Sequence, residues 1–286
     1  MTRRRLAAVA AVILLVGIGI GILLSQATRD EAVDESADGA VVWAVGDGAD
    51  GSDEASSVAQ LVAAEPFDHF LYLGDIYDEG TREEFEENYD AIYGHFADRT
   101  SPTPGNHEWD TREEGYGPYW DEMHGRPIDP WYSFELGGWE LLSLNSEEPV
   151  GPGSPQQEWL EGELSEPGNC RIAFWHSARF SASGEHHGDD PEMQPLWDAL
   201  EGRATIALTA DDHDMQRFKP VDGITQFVSG AGGHNLYELD DDPRLAFGND
   251  TDYGALRLEL RSGVAEYSFV TVDGEVVDSG TLRCEN

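Results

Sequence analysis

The chain has 286 residues, with 57 acidic against 17 basic side chains, nine histidines and a formal net charge of −40 at neutral pH. Lys219 is the sole lysine. Such a surface disfavours nucleic acid, whose phosphates are held through Lys and Arg. It points either to a salt-rich surrounding, where the Debye length shrinks to about 3 Å at 1 M salt, or simply to an acidic soluble protein.

The chain opens on "MTRRR", then 19 apolar residues at 6–24, then "SQATRD". A basic start, an apolar run and small residues at Ser25 and Ala27 predict an export signal over 1–27. The run also approaches the ~20 residues that span a bilayer, so residues 6–24 either leave with the signal or stay as a membrane anchor. Both routes put the rest outside the cytoplasm, secreted or held on the outer face of the membrane. Residues 28–40, small and acidic, read as a flexible linker, and 41–286 as one domain. Cys170 and Cys284 read either as an extracytoplasmic disulfide or as two free thiols.

Within the domain, "VVWAVGD" predicts a strand stopping at a carboxylate, and "SSVAQLVAAE" has helical spacing. "HFLYLGD" repeats the strand that ends in Gly-Asp, followed by a helical "TREEFEENYDAIYGHF". In "PTPGNHEWD", 102–110, two prolines and a glycine argue against helix and for a rigid loop. "WYSFELGGWELLSLNS" predicts a hairpin about Gly-Gly, and "SPQQEWLEGELSE" a helix opened by Ser-Pro. "CRIAFWHS" and "ATIALTADDHD" are strands ending in His or acids, with a helix, "PEMQPLWDALEG", between them. "ITQFVSGAGG" runs into a glycine turn, and residues 255–284 form a β-meander. Strands alternating with helices, then hairpins, give an α/β class with mixed sheets.

Five strand-like runs end in groups suited to metals: Asp47, Asp75, Asn106, His176, and Asp211 with His213. In open α/β sheets ligands gather beyond the carboxyl ends of strands. A set of carboxylates, imidazoles and one amide suits hard or borderline ions, Mg, Mn, Fe or Zn. Six or seven such groups match two ions about 3.5–4 Å apart, the clamp used in phosphoryl displacement.

Five blocks in this order resemble the calcineurin-like metallophosphoesterases, and within them the purple-acid-phosphatase type and its bacterial relatives. They are "AVGDGAD", "YLGDIYDEGT", "PTPGNHEWDT", "AFWHSARFSASGEHHG", and "LTADDHDMQRF" with "VSGAGG". The resemblance covers about residues 41–237. It implies a four-layer α-β-β-α sandwich with two mixed sheets and a dinuclear metal centre. The implied activity is hydrolysis of phosphate esters, mainly monoesters of small phosphorylated substrates, by metal-activated water. It assigns Asp47 and His213 to a first metal, Asp75 to a bridge, and Asn106 and His176 to a second metal. His107 becomes the outer-sphere acid beside Asn106, and Glu108 orients that residue or its loop. His187 matches a substrate-side histidine, and Arg217 is a candidate phosphate contact or a structural ion pair.

Two departures stand out. Asp211 occupies a position where the family has a ligand histidine, so it is either an altered second-metal ligand or the mark of a metal-poor relative that serves as a surface binding protein. The family's metal-bound tyrosine falls three positions after the aspartate, at Asp78, so Tyr77 is the expected ligand only with a one-residue deletion. His69, His95, His124 and His186 read as structural or surface histidines. Trp109, Tyr116, Tyr119 and Trp120 read as packing aromatics or a pocket wall. No protein partner is expected.

Overall fold

The computed structural model describes residues 39–184 and 187–285. The expected signal or anchor segment 1–27, residues 28–38 of the expected linker and His186 lie outside the described residues. Among the described residues no helix is long and apolar enough to cross a membrane.

The strands, in chain order, are β1 (Ala40–Val45), β2 (His69–Tyr72), β3 (Thr100–Pro102), β4 (Tyr132–Leu136), β5 (Trp139–Ser143), β6 (Arg171–Ser177), β7 (Ile206–Ala210), β8 (Met215–Phe218), β9 (Thr225–Ser229), β10 (Leu245–Asn249), β11 (Gly254–Arg261), β12 (Val264–Thr271) and β13 (Val276–Arg283). They form two sheets, ordered β13-β12-β11-β1-β2-β3 and β10-β8-β9-β7-β6-β5-β4. Both are mixed. In the first, β1, β2 and β3 run parallel while β11 pairs antiparallel with β1. In the second, β5, β6, β7 and β9 are parallel and the two ends are antiparallel.

Three apolar cores show the layering. Val42, Ala44, Leu71 and Leu73 from one sheet meet Leu141, Ile172, Phe174, Ile206 and Leu208 from the other. Trp43, Val45, Phe70 and Tyr72, on the opposite face of the first sheet, pack on helix Asp53–Ala63 and the helical run 82–99. Leu142, Ala173, Trp175 and Ala207 face the helices Pro155–Glu163 and Gln194–Leu200. The order is therefore helix, sheet, sheet, helix, as expected. Strands covered on both faces favour apolar residues nearly throughout, as in β1 and β7.

Local chemistry sets the element ends. Ser52 and Ser154 accept the N3 amides of their helices, from Ala55 and Gln157. Gly137 and Gly138 both hold positive φ, 59° and 78°, which a two-residue hairpin turn between β4 and β5 requires. The sequence expectation fails at Asn106–Trp109, which is a short helix. The prolines that argued against it lie upstream, where they cost no helical N–H. Glu108 closes the first turn by accepting the Gly105 amide at 2.9 Å. Strand β8 also had no apolar run to announce it, since its buried Gln216 is satisfied by Ser181, Ser183 and Asp214 instead.

Cys170 and Cys284 form a disulfide across 114 residues, fastening the chain just beyond β13 to the segment before β6. Replacing both by serine is expected to cost about 2–4 kcal/mol of stability, because the bridge shortens a long loop in the unfolded chain. Chemical denaturation with and without reductant checks this; equal midpoints would show that the bridge contributes nothing.

Candidate metal centre

The parallel strands of both sheets point their carboxyl ends at one place. Asp47 follows β1, Asp75 follows β2, His176 lies near the end of β6, and Asp211 with His213 follows β7. Asp47, Asp75 and Asp211 all adopt left-handed backbone conformations, φ 57°, 68° and 70°. Non-glycine residues enter that region at a cost, and they persist there where the surroundings over-determine them. Each turns its carboxylate sharply off the strand. Gly105 and Gly230 leave room for those carboxylates: a Cβ at Gly105 would lie 2.1 Å from Asp75 Oδ1, and one at Gly230 2.7 Å from Asp47 Oδ2.

Asp47, Asp75 and His176 each bring a ligand atom within 4.8 Å of the others, and all three are buried. His176 Nδ1 donates to the Leu73 carbonyl at 2.7 Å, so its Nε2 faces the carboxylates, 3.3 Å from Asp75 Oδ1 and 3.6 Å from Asp211 Oδ1. That Nε2 is buried and makes no hydrogen bond. His213 is held the same way, Nδ1 donating to the Asn235 carbonyl at 2.8 Å and Nε2 lying 3.5 Å from Asp47 Oδ1. A backbone carbonyl on one ring nitrogen fixes the tautomer and leaves the other lone pair for a cation. Buried carboxylates with convergent imidazole lone pairs form a donor set that fits hard or borderline divalent ions.

The electrostatics fit as well. Burial, then Asp75 and Asp211, push the Asp47 carboxyl well above its ordinary range, with His176 opposing them. His176 itself is raised, because Asp75 and Asp211 outweigh its burial. Asp75, despite complete burial, is held at about 2 by His176 beside it. Burial brings His213 down to about 4.

Tyr77 enters this group. Its hydroxyl lies 3.0 Å from both Asp47 Oδ1 and His213 Nε2, whereas Asp78 is exposed. His107 Nδ1 bonds the Asp78 carbonyl, which leaves Nε2 on the Asp75 side, 3.7 Å from Oδ2, with the ring partly open to solvent. Asn106 begins the short helix at the exposed rim. Glu108 is fully buried and braces the loop, accepting the amides of Asp75 and Ile76 at 3.1 Å. His187 Nδ1 stands 3.8 Å from Asp211 Oδ1. Arg217 corrects the phosphate-contact expectation. Its guanidinium forms a fork with Asp278 of β13, at 2.6 and 3.0 Å, and lies over Tyr267. Tyr116, Tyr119 and Trp120 are core, and His69 and His124 bond Ser101 and the Thr100 carbonyl.

Sequence reasoning missed three neighbours. Burial raises Glu147, which feels His176, Asp211 and Asp75 from the loop after β5. His234 stacks on Tyr77 with ring centroids 4.1 Å apart, and Tyr237 stacks on His213 at 4.0 Å. "SLNSE" does end a strand in polar groups like the other blocks. His234 and Tyr237 follow the glycine turn with no motif of their own.

Asp75 and Asp211 favour protonation of His176, so a cation entering here competes with protons for that ring. Metal affinity is therefore expected to weaken as the pH is lowered, by about tenfold per unit for each proton released on binding. Calorimetry at several pH values checks this, and an affinity flat between pH 5 and 8 would contradict it. Gly105→Ala should abolish tight metal uptake, since its Cβ occupies the place of the Asp75 carboxylate; unchanged stoichiometry by elemental analysis would count against this packing.

The sequence model of the family described as "Calcineurin-like phosphoesterase" matches residues 40–215. Purple acid phosphatase 21 of Arabidopsis thaliana is 25% identical over 174 residues, 54% of this chain and 40% of that protein. Purple acid phosphatase 22 of the same plant is 22% identical over 178 residues, 56% and 41% of the two chains. The match thus spans about two fifths of the length of these relatives. Among solved structures, the purple acid phosphatase PPD1 of yellow lupin aligns at TM-score 0.72 and 19% identity, covering 86% of this chain and 54% of that one. GAP50 of Plasmodium aligns at TM-score 0.69 and 14% identity, covering 87% and 90%. Both structures share the fold seen here. The family match, covering more than half of the chain, places this protein in the calcineurin-like phosphoesterase family.

Proposed function

We propose that the chain is an exported dinuclear metallophosphoesterase that hydrolyses small phosphate esters, monoesters above all. The observation that carries the reading is the position of His107. Its Nδ1 is tied to the Asp78 carbonyl, and its other nitrogen sits beside the buried carboxylate cage while the ring stays open to solvent. In this reading Asp47, Tyr77 and His213 would hold a first cation, Asn106, His176 and Asp211 would hold a second, and Asp75 would serve both, the cations being drawn from Fe, Mn, Zn or Mg. When bound, the cations neutralise charge on the phosphoryl oxygens and lower the pKa of water. His107 would serve as the acid, passing a proton from Nε2 to the departing alkoxide while Nδ1 stays bonded to the Asp78 carbonyl. His187, at the Asp211 side, contacts the substrate. The scarcity of cationic side chains supports small esters over nucleic acid.

Export rests on the apolar run 6–24 and on the disulfide, which belongs to an oxidising compartment. The working place is then the outer face of the cytoplasmic membrane or the medium, and the −40 charge suits a salt-rich one.

Hydrolysis of p-nitrophenyl phosphate against its bis-ester, together with metal analysis, tests the activity. Two bound ions with no turnover on either ester would overturn it. His107→Ala is expected to keep both metals and lose about 10²–10⁴ in kcat; loss of the metals instead would make His107 a ligand.

Asp211 favours one second reading, a metal-poor binding protein. GAP50 is itself described as an anchor in the inner membrane complex of Plasmodium. Against this, the Asp211 carboxylate still lies 3.6 Å from His176 Nε2. Asp211→His should then tighten the second cation only modestly; appearance of a second ion only in that variant would favour the binding-protein reading.

A further inference from the structure

The segment His234–Tyr237, after the glycine turn, touches each of the three residues assigned to the first cation. It threads a passage closed to side chains: a Cβ at Gly232 would lie 2.1 Å from the Gly46 carbonyl oxygen, and one at Gly233 about 2.5 Å from Ala55. Beyond it, the His234 amide donates to the Asp47 carbonyl at 2.9 Å, and the Tyr237 amide to the His213 carbonyl at 3.0 Å. The Asn235 carbonyl takes the His213 Nδ1 proton, and the Tyr237 ring covers the face of His213. These contacts fix Asp47 and His213 largely through backbone.

Tyr77 is held differently. Its hydroxyl reaches Asp47 and His213, but its ring is placed by two imidazoles: His107 edge-on at 4.5 Å, and His234 face to face at 4.1 Å and 14°. His234 is anchored in turn. Its Nδ1 lies 3.1 Å from Asp50 Oδ2, and Asp50 Oδ1 accepts the amide of Ser52, the residue that caps helix Asp53–Ala63. An aromatic face resting on a phenol restrains its tilt, and a small tilt at the ring becomes a large displacement at the hydroxyl.

We propose that His234, braced by Asp50, is a positioning residue that aims the Tyr77 hydroxyl at the Asp47–His213 pair and so sets how tightly that half of the centre holds its cation. The role belongs to the ring face of His234, with its nitrogen serving the brace. It rests on the metal-centre reading above, and its tests are separable from that reading.

The probe is manganese(II) alone, titrated calorimetrically into the full chain and its variants. His234→Ala is expected to weaken the tighter of two binding events by about 10–100-fold, the usual effect of removing a residue that orients a ligand, with the weaker event unmoved. His234→Phe keeps an aromatic face and should restore affinity to within about threefold of wild type. Asp50→Asn, which keeps the ring face and alters only the brace, should likewise stay within about threefold of wild type. Equal loss in the Ala and Phe variants would mean that His234 acts through its nitrogen, as a ligand or proton donor, and overturns the stacking role. Unchanged affinity in His234→Ala overturns it outright. The metal-free protein gives an independent readout. With Tyr77→Phe to assign the signals, Tyr77 ring resonances should shift in His234→Ala and stay near wild type in His234→Phe. Wild-type protein that takes up no manganese would defeat the metal-centre reading, while the resonances alone would still decide whether His234 places Tyr77.

Discussion

Three carboxylates and two imidazoles meet beyond the strand ends, and the rest of the site is arranged around that concentration of charge. Asp47, Asp75, His176 and His213 are buried, and Asp211 is partly open at 13%. Like charges so near one another, in a low-dielectric interior, are unfavourable unless a proton or a cation stands between them. Burial foremost, then Asp75 and Asp211, raise the Asp47 carboxyl, and the same two carboxylates raise His176. The left-handed turns after β1, β2 and β7 are the geometric counterpart of that electrostatic demand. Each backbone departs from its comfortable region so that a carboxylate reaches the shared centre.

The scaffold answers by tying the clustered side chains to the main chain. Each ligand imidazole is tied to a main-chain carbonyl, and Glu108 ties two loops together through three backbone amides. Burial, with the Asp75 charge beside it, drives that carboxyl up to about 8 even with those donors around it. Rigidity is not uniform. His107 and Asn106, at the rim, remain accessible to solvent.

Much of this was legible because the chemistry-bearing residues sit where strand patterns stop. Asp47, Asp75, His176, Asp211 and His213 each close an apolar run, and the rule that ligands collect at strand ends brings them together before any coordinates exist. Tyr77 could be proposed but not placed, since one residue in a loop decides whether a phenol or a carboxylate faces inward. The short helix at Asn106 stayed hidden because the upstream prolines and glycine outweighed the Gly105–Glu108 cap, whose glutamate is also held by the Asp75 and Ile76 amides of a distant strand end. Arg217 illustrates the converse. A cation near a metal motif suggests a phosphate contact, yet its partner, Asp278, is 61 residues away in sequence and belongs to the other sheet. His234 and Tyr237 carry no spacing signal, because their work is to cover rings that sequence alone does not bring near them.

Strand order has a consequence for how the chain is made. β1, the first strand of the domain, lies between β2 and β11, with Ala40 opposite Leu260. As the polypeptide emerges from the ribosome, one edge of this apolar strand stays uncovered until the closing meander has been synthesised. Unpaired edges are where nascent chains misassociate, and pairings so distant in sequence close slowly. The interval before the carboxy-terminal meander arrives is thus when this molecule is most exposed to aggregation and most dependent on whatever chaperone attends it.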